Sequence, residues 1–286
     1  MKSLQPPIKI LKNAKFWLLG IGAGLITINL TLLSQSGEIS QFAMSVLFFL
    51  AVASLIWDNR HSLILESEIF SSFLGGLMIA FVLWKSATLP SPDFLRLSPV
   101  FSGLGLALLA SGIKGLKQYW QSLTILFFLG VPEVILSSLI DISPLIAKFS
   151  GFILWYSGFT VSIQGVHIHL PKGGVEVTPG CSGLESMSYL LGISAIALVM
   201  FPIQKQKRIF VPIVATTLAF VLNGIRIAIL AVFSASGNKA AFDSWHQGDV
   251  SRMFSMIAIV IFGLFYYLLM RQSEAKISAH GESSRQ

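Results

Sequence analysis

The sequence predicts an all-α polytopic membrane protein with about eight transmembrane helices, an interfacial helix on the outer side and a small extracytoplasmic β-hairpin. Three observations predict it. Hydrophobic residues make up 54% of the 286-residue chain and charged residues 12%, with a mean hydropathy of +0.76. A soluble domain carries about 25% charge because its surface must be wetted, so a soluble enzyme is excluded. Disorder is excluded too, since disordered chains are poor in the apolar residues that dominate here. The apolar residues fall in runs close to the roughly 20 that a span requires, and the basic residues cluster between those runs.

The first run, 16–33, follows Lys2, Lys9, Lys12 and Lys15. It is long and has no A-x-A-like end, so it reads as a retained helix rather than a cleaved signal peptide. Further spans are expected at 42–57, 69–84, 97–113, 122–140, 183–201, 209–233 and 254–270. The stretch 144–163 is apolar as well. A crossing there would turn the Lys205–Lys207–Arg208 loop outward, against the charge signal, so an interfacial or re-entrant helix is expected. Next, Val166-His167-Ile168-His169-Leu170 and Val175-Glu176-Val177 alternate with a period of two around Pro171-Lys172-Gly173-Gly174. That pattern reads as a β-hairpin.

With a cytoplasmic N-terminus, thirteen basic residues lie inside. They are the four N-terminal lysines, Arg60, Lys114, Lys117, Lys205, Lys207, Arg208, Arg271, Lys276 and Arg285. Six lie outside: Lys85, Arg96, Lys148, Lys172, Lys239 and Arg252. With Arg226 inside a span, these account for all 20 Lys and Arg residues. The imbalance places both termini in the cytoplasm. The net charge of +7 therefore reads as an orientation signal, and no nucleic-acid partner is expected.

Chemistry is expected at three places. Cys181 is the sole cysteine, so no intramolecular disulfide can form. It follows Pro179-Gly180 and precedes Ser182-Gly183-Leu184-Glu185, a capping-box pattern in which Ser182 and Glu185 would bond each other's amides. A thiol just before a helix N-terminus is favoured as thiolate, and the free amides there can hold an oxyanion. The bland alternative is a small buried hydrophobe. Arg226, in Asn223-Gly224-Ile225-Arg226, costs at least ~2.5 kcal/mol inside a span. It should face the bundle interior or a wet cavity, with Asn223 on the same helix face; a structural ion pair with Glu185 or Glu133, or snorkelling, is the alternative. His246 lies in the loop 234–250, with Gly237 and Gly248 to turn it back. Imidazole is the side chain that exchanges protons near neutral pH. The three would reach one outer face through successive helix ends, and a thiol beside an imidazole is an activated nucleophile. His167 and His169 share a strand face but lack further ligands, so no metal and no cofactor are expected. Glu133 follows Pro132 within a span, and Asp249 with Arg252 reads as a rim pair.

At Gly180-Cys181-Ser182-Gly183, Asn223-Gly224-Ile225-Arg226-Ile227 and His246, in that order, the sequence resembles the exosortase/archaeosortase family of membrane cysteine transpeptidases. The likeness is strongest from about 125 to 269. The Gly-Cys-Ser-Gly wording and the length are most similar to the cyanobacterial branch, type A more than type B. The resemblance implies a single integral membrane domain: N-terminal helices 1–120, a catalytic core 121–272 and a cytoplasmic tail 273–286. It implies Cys181 as nucleophile, Arg226 as the stabilising or substrate-orienting cation and His246 as proton donor and acceptor, supported by Ser182, Gly183, Glu185 and Asn223. The implied partners are C-terminal sorting-signal segments of exported proteins (Pro-Glu-Pro type), an acceptor nucleophile and membrane lipids. A transporter or polysaccharide-export component, with Arg226 and Glu133 lining a path, is the competing class.

Overall fold

The computed structural model describes residues 14–88, 90–246 and 249–283, with side chains of 14, 249–252 and 273–283 left aside. Lys2, Lys9, Lys12, Gly248 and Arg285, which entered the expectations above, lie outside the described residues, as do the side chains of Asp249, Arg252 and Lys276. The chain forms two compact units, 1–134 and 135–286.

In the first unit, α1 (Ala14–Ser36), α2 (Ile39–Asn59), α3 (Ile69–Ala87) and α4 (Pro92–Gly115) are followed by a 3₁₀ turn at Leu116–Tyr119 and the start of α5 (Trp120–Leu139). Ser91 starts α4 by accepting the Phe94 amide at 3.3 Å, with Pro92 in the first turn. Helices α3 and α4 cross closely because Gly75 meets Gly105: a Cβ on Gly75 would lie 2.6 Å from the Gly105 carbonyl oxygen. Asn29 of α1 donates to the Leu95 carbonyl at 3.1 Å and to Ser98 at 2.9 Å. Arg96 and Glu133 form an ion pair of 3.1 Å, both nearly buried. Unpaired charge is too costly at membrane depth, so these two are held against each other.

Among the described residues, six stretches are long and apolar enough to cross a membrane, where eight spans were expected. The difference has two causes. The expected spans 97–113 and 122–140 fall in one 48-residue stretch, Pro92–Leu139, and the expected span at 183–201 is a helix of only 17 residues. At 1.5 Å per residue, 48 residues extend about 72 Å, more than twice the ~30 Å hydrocarbon layer. The stretch breaks where Gly112 takes a positive φ of 65° and the 3₁₀ turn follows. Large apolar side chains face outward on these helices, among them Leu19, Leu50, Ile69, Phe73 and Val260, each at least 64% exposed. In water that is an aggregation liability, whereas lipid covers it without penalty. The protein is a multi-pass membrane protein.

The second unit begins within α5. Helix α6 (Ser143–Tyr156) has 14 residues, about 21 Å, which is short of a crossing. It ends before the expected 163 because residues 162–164 form a strand. The expected hairpin is a three-stranded antiparallel sheet: β1 (Ser162–Gln164), β2 (His167–Leu170) and β3 (Gly173–Glu176), in that order. Its register pairs Ile163 with Ile168 and Ile168 with Val175. Gly165, at φ 63°, makes the added turn.

After a 3₁₀ turn (Pro179–Cys181) come α7 (Leu184–Met200), α8 (Phe210–Ala235), α9 (Lys239–His246) and α10 (Asp249–Ser283), the last extending well beyond the expected 254–270. The sheet is clasped between α6 and α8 through fully buried Ile146, Ile168, Val177, Leu230 and Ala231. Helices α6 and α8 pack closely at Gly224, where any Cβ would collide with the Phe149 ring. Ser150 donates to the Gly224 carbonyl at 2.9 Å. The turn of α8 that carries Asn223 and Arg226 is thus fixed from its other side.

Candidate active site

Strand β3 runs directly into the turn that carries Cys181. Val177 is completely buried and its amide bonds the Val166 carbonyl at 3.0 Å, which anchors the exit of the strand. The turn closes through the Cys181 amide on the Thr178 carbonyl (2.9 Å) and the Ser182 amide on the Pro179 carbonyl (3.2 Å). Cys181 is half-buried, a free thiol.

The expected capping box is not formed. Gly183, at φ 83°, is the residue before the helix, and no side chain caps it. Ser182 turns backward and donates to the Pro179 carbonyl at 2.7 Å, while Glu185 accepts the Tyr189 hydroxyl at 2.8 Å. The left-handed backbone at Gly183 swings Ser182 out of capping position. It is a conformation that a glycine adopts without penalty. Its missing side chain is also needed, because a Cβ would sit 2.5 Å from the Asn223 amide group.

That close approach lets Asn223 donate to the Cys181 carbonyl at 3.0 Å. Three residues on, Arg226 of the same helix face donates through Nη1 to Asn223 Oδ1 (3.3 Å), through Nε to the Trp245 carbonyl (3.3 Å) and through Nη2 to the His246 carbonyl (2.8 Å). One turn of α8 therefore holds the main chain of both Cys181 and His246. The last carbonyls of a helix lack intrahelical donors and carry the negative end of its dipole, and a cation at the end of α9 satisfies both. The ion pair of Arg226 with Glu185 or Glu133, weighed above, is not what is seen: the fork grips an amide oxygen and two carbonyls, and Glu133 pairs with Arg96.

The segment after α8 folds back as expected, with Gly237 at φ 71° making the turn into α9. This brings Nε2 of His246 to 3.1 Å from Sγ of Cys181. Cys181, Asn223, Arg226 and His246 thus form one constellation, which Gly183 leaves room for. The bonds described for Ser182 and Glu185 go to the Pro179 carbonyl and the Tyr189 hydroxyl.

Two aromatic residues of α9 went unnoticed in the sequence. Trp245 packs edge-on against Phe233 of α8 (5.3 Å) and against Phe254 of α10 (5.4 Å). Phe242 stacks on the His246 ring, with centroids 5.4 Å apart and planes within 24°. The available signal was the spacing of four, which puts Phe242 and His246 on one helix face. His167 and His169 stack at 6.0 Å on the sheet's exposed side, and His167 lies 3.7 Å from Glu176. No group of three metal-binding side chains occurs among the described residues.

A family model described as transmembrane exosortase matches residues 36–273. The chain belongs to that family. In this exosortase the match includes Cys181, Asn223, Arg226 and His246, and it reaches back through most of the N-terminal unit, further than the motif likeness from about 125. No curated relative and no solved structure matches the chain.

Proposed function

We propose that this exosortase is a membrane cysteine transpeptidase that cleaves the C-terminal sorting signal, of Pro-Glu-Pro type, of exported proteins. The observation that carries this reading is the 3.1 Å contact between Cys181 Sγ and His246 Nε2. A thiol in hydrogen-bond reach of an imidazole is a means of generating a nucleophile at neutral pH.

The proton on Sγ passes to Nε2, and the thiolate adds to the scissile carbonyl carbon. The resulting oxyanion is favoured at the start of α7, whose first amides have no side-chain cap and carry the positive end of the helix dipole. As the C–N bond breaks, Nε2 delivers its proton to the departing amine. The membrane-anchored segment leaves, and the rest of the substrate is held as a thioester on Cys181. A lipid or glycan group, or water, then gives its proton to Nε2 and attacks the thioester, and the thiolate departs. Arg226 is engaged by protein oxygens in the resting geometry. Holding the His246 main chain is therefore the role that the contacts support; direct contact with the oxyanion would require its fork to turn. The charge distribution supports cytoplasmic termini and a site at the outer face of the inner membrane.

The test is to quench a reaction with a sorting-signal substrate and analyse Cys181 by mass spectrometry. The N-terminal part of the substrate is expected as a thioester on Cys181, with C181A showing neither adduct nor cleavage. Cleavage by C181A at the normal rate would overturn the reading.

A further inference from the structure

We infer that Phe242 is a positioning residue for His246: its stacked ring sets the plane of the imidazole and favours the protonated form that accompanies the Cys181 thiolate. The inference rests on reading Cys181 and His246 as a nucleophile–base pair. Three contacts define where the imidazole sits. Its main chain is gripped by Arg226 at 2.8 Å, Nε2 meets Sγ at 3.1 Å, and one face lies against Phe242 at 5.4 Å. The grip on the carbonyl leaves the ring's own torsions free. The Phe242 face restricts them, holding Nε2 toward the thiol. Phe242 is itself half-buried and packs against the core under the sheet, so it is a firm surface.

The stack also has an electrostatic consequence. The face of an aromatic ring is negative and attracts a cation within about 6 Å. When the proton moves from Sγ to Nε2, the imidazole becomes that cation, so Phe242 stabilises the ion pair over the neutral pair. The charged groups around His246 set the background. Cys181 contributes the thiolate, and α8 contributes Arg226 alone. Lys239 and Asp243 lie on α9 itself. The neighbouring end of α10 carries Asp249 and Arg252, whose side chains lie outside the described residues.

The test is the rate of alkylation of Cys181 by iodoacetamide across pH, in purified full-length protein, which needs no substrate. F242L removes the aromatic face and keeps an apolar side chain. It should lower the alkylation rate at neutral pH by roughly two- to thirtyfold, the range a cation–π contact supplies. The profile should move toward higher pH, and F242Y should restore it. Peptide cleavage should lose kcat with KM retained. F242M is read in the same way if F242L is not recovered in folded form. An F242L profile that overlies the wild type while H246A shifts it would overturn the inference and leave the Cys–His reading standing. Wild-type profiles in both F242L and H246A would overturn the two together.

Discussion

Replacing Arg226 by lysine keeps the charge and removes the fork. The guanidinium donates from three nitrogens to three separate oxygens at 3.3, 3.3 and 2.8 Å. A lysine ammonium is a single point on a flexible stem. It can serve one of these oxygens well, and the shortest contact, to the His246 carbonyl, is the one it would compete for. The other two bonds are lost or pass to water. Hydrogen bonds to charged groups contribute about 1.5–3 kcal/mol each by mutation. Because the site is only part-buried, the low end applies, giving about 3 kcal/mol for two bonds. Expressed fully in the barrier, that is roughly a hundredfold in rate. The route is indirect: Asn223 loses its anchor beside Cys181, the end of α9 is held by one contact instead of two, and the Cys–His alignment loosens. The assay is cleavage of a sorting-signal fusion by R226K and wild type, at equal membrane abundance, following kcat and KM separately. A loss of about two orders of magnitude in kcat with normal abundance is expected. R226K turning over within threefold of wild type would refute the reasoning and reduce Arg226 to a general charge at the helix end.

H246A should cut turnover by roughly 10²–10⁴, the usual contribution of general acid–base catalysis, and erase one limb of the pH–rate curve; an unchanged rate would remove His246 from the mechanism. G183A places a side chain 2.5 Å from the Asn223 amide, on a backbone at φ 83°. It should cost about 1–2 kcal/mol in local strain and slow Cys181 alkylation, and N223A should not rescue it, because the Cβ at 223 would still lie 2.8 Å from the new side chain. G183A alkylated at the wild-type rate would show that neither the strain nor the clash matters. A membrane-impermeant maleimide applied to intact spheroplasts should label Cys181, the single thiol. Labelling only after permeabilisation would place the site on the cytoplasmic side.

The sequence by itself determined that the chain lives in a membrane, roughly where it can cross, and which polar residues are too costly to be accidental. The reason is that partition into lipid depends on local composition over about 20 residues, and composition needs no knowledge of the fold. Arg226 stood out for the same reason, as a charge inside an apolar run, whereas Cys181 stood out as the sole cysteine just before a helix start and His246 as an imidazole in a loop between spans. The tertiary structure decided everything that depends on a partner far along the chain. The break at Gly112, which bends one 48-residue stretch into two helices, reflects a backbone angle that a glycine permits but does not announce. The third strand forms because β2 has a second edge to pair, and three exposed residues, Ser162–Gln164, have too little alternation to be read as a strand. The capping box failed because Gly183 takes a left-handed backbone to let Asn223 reach the Cys181 carbonyl. The ion pair sought for Arg226 turned out to be two carbonyls and an amide oxygen, and main-chain oxygens are carried by every residue alike. Phe242 was indistinguishable from the other 21 phenylalanines of the chain's 22 until α9 folded over the Cys181 turn and put its ring against the imidazole.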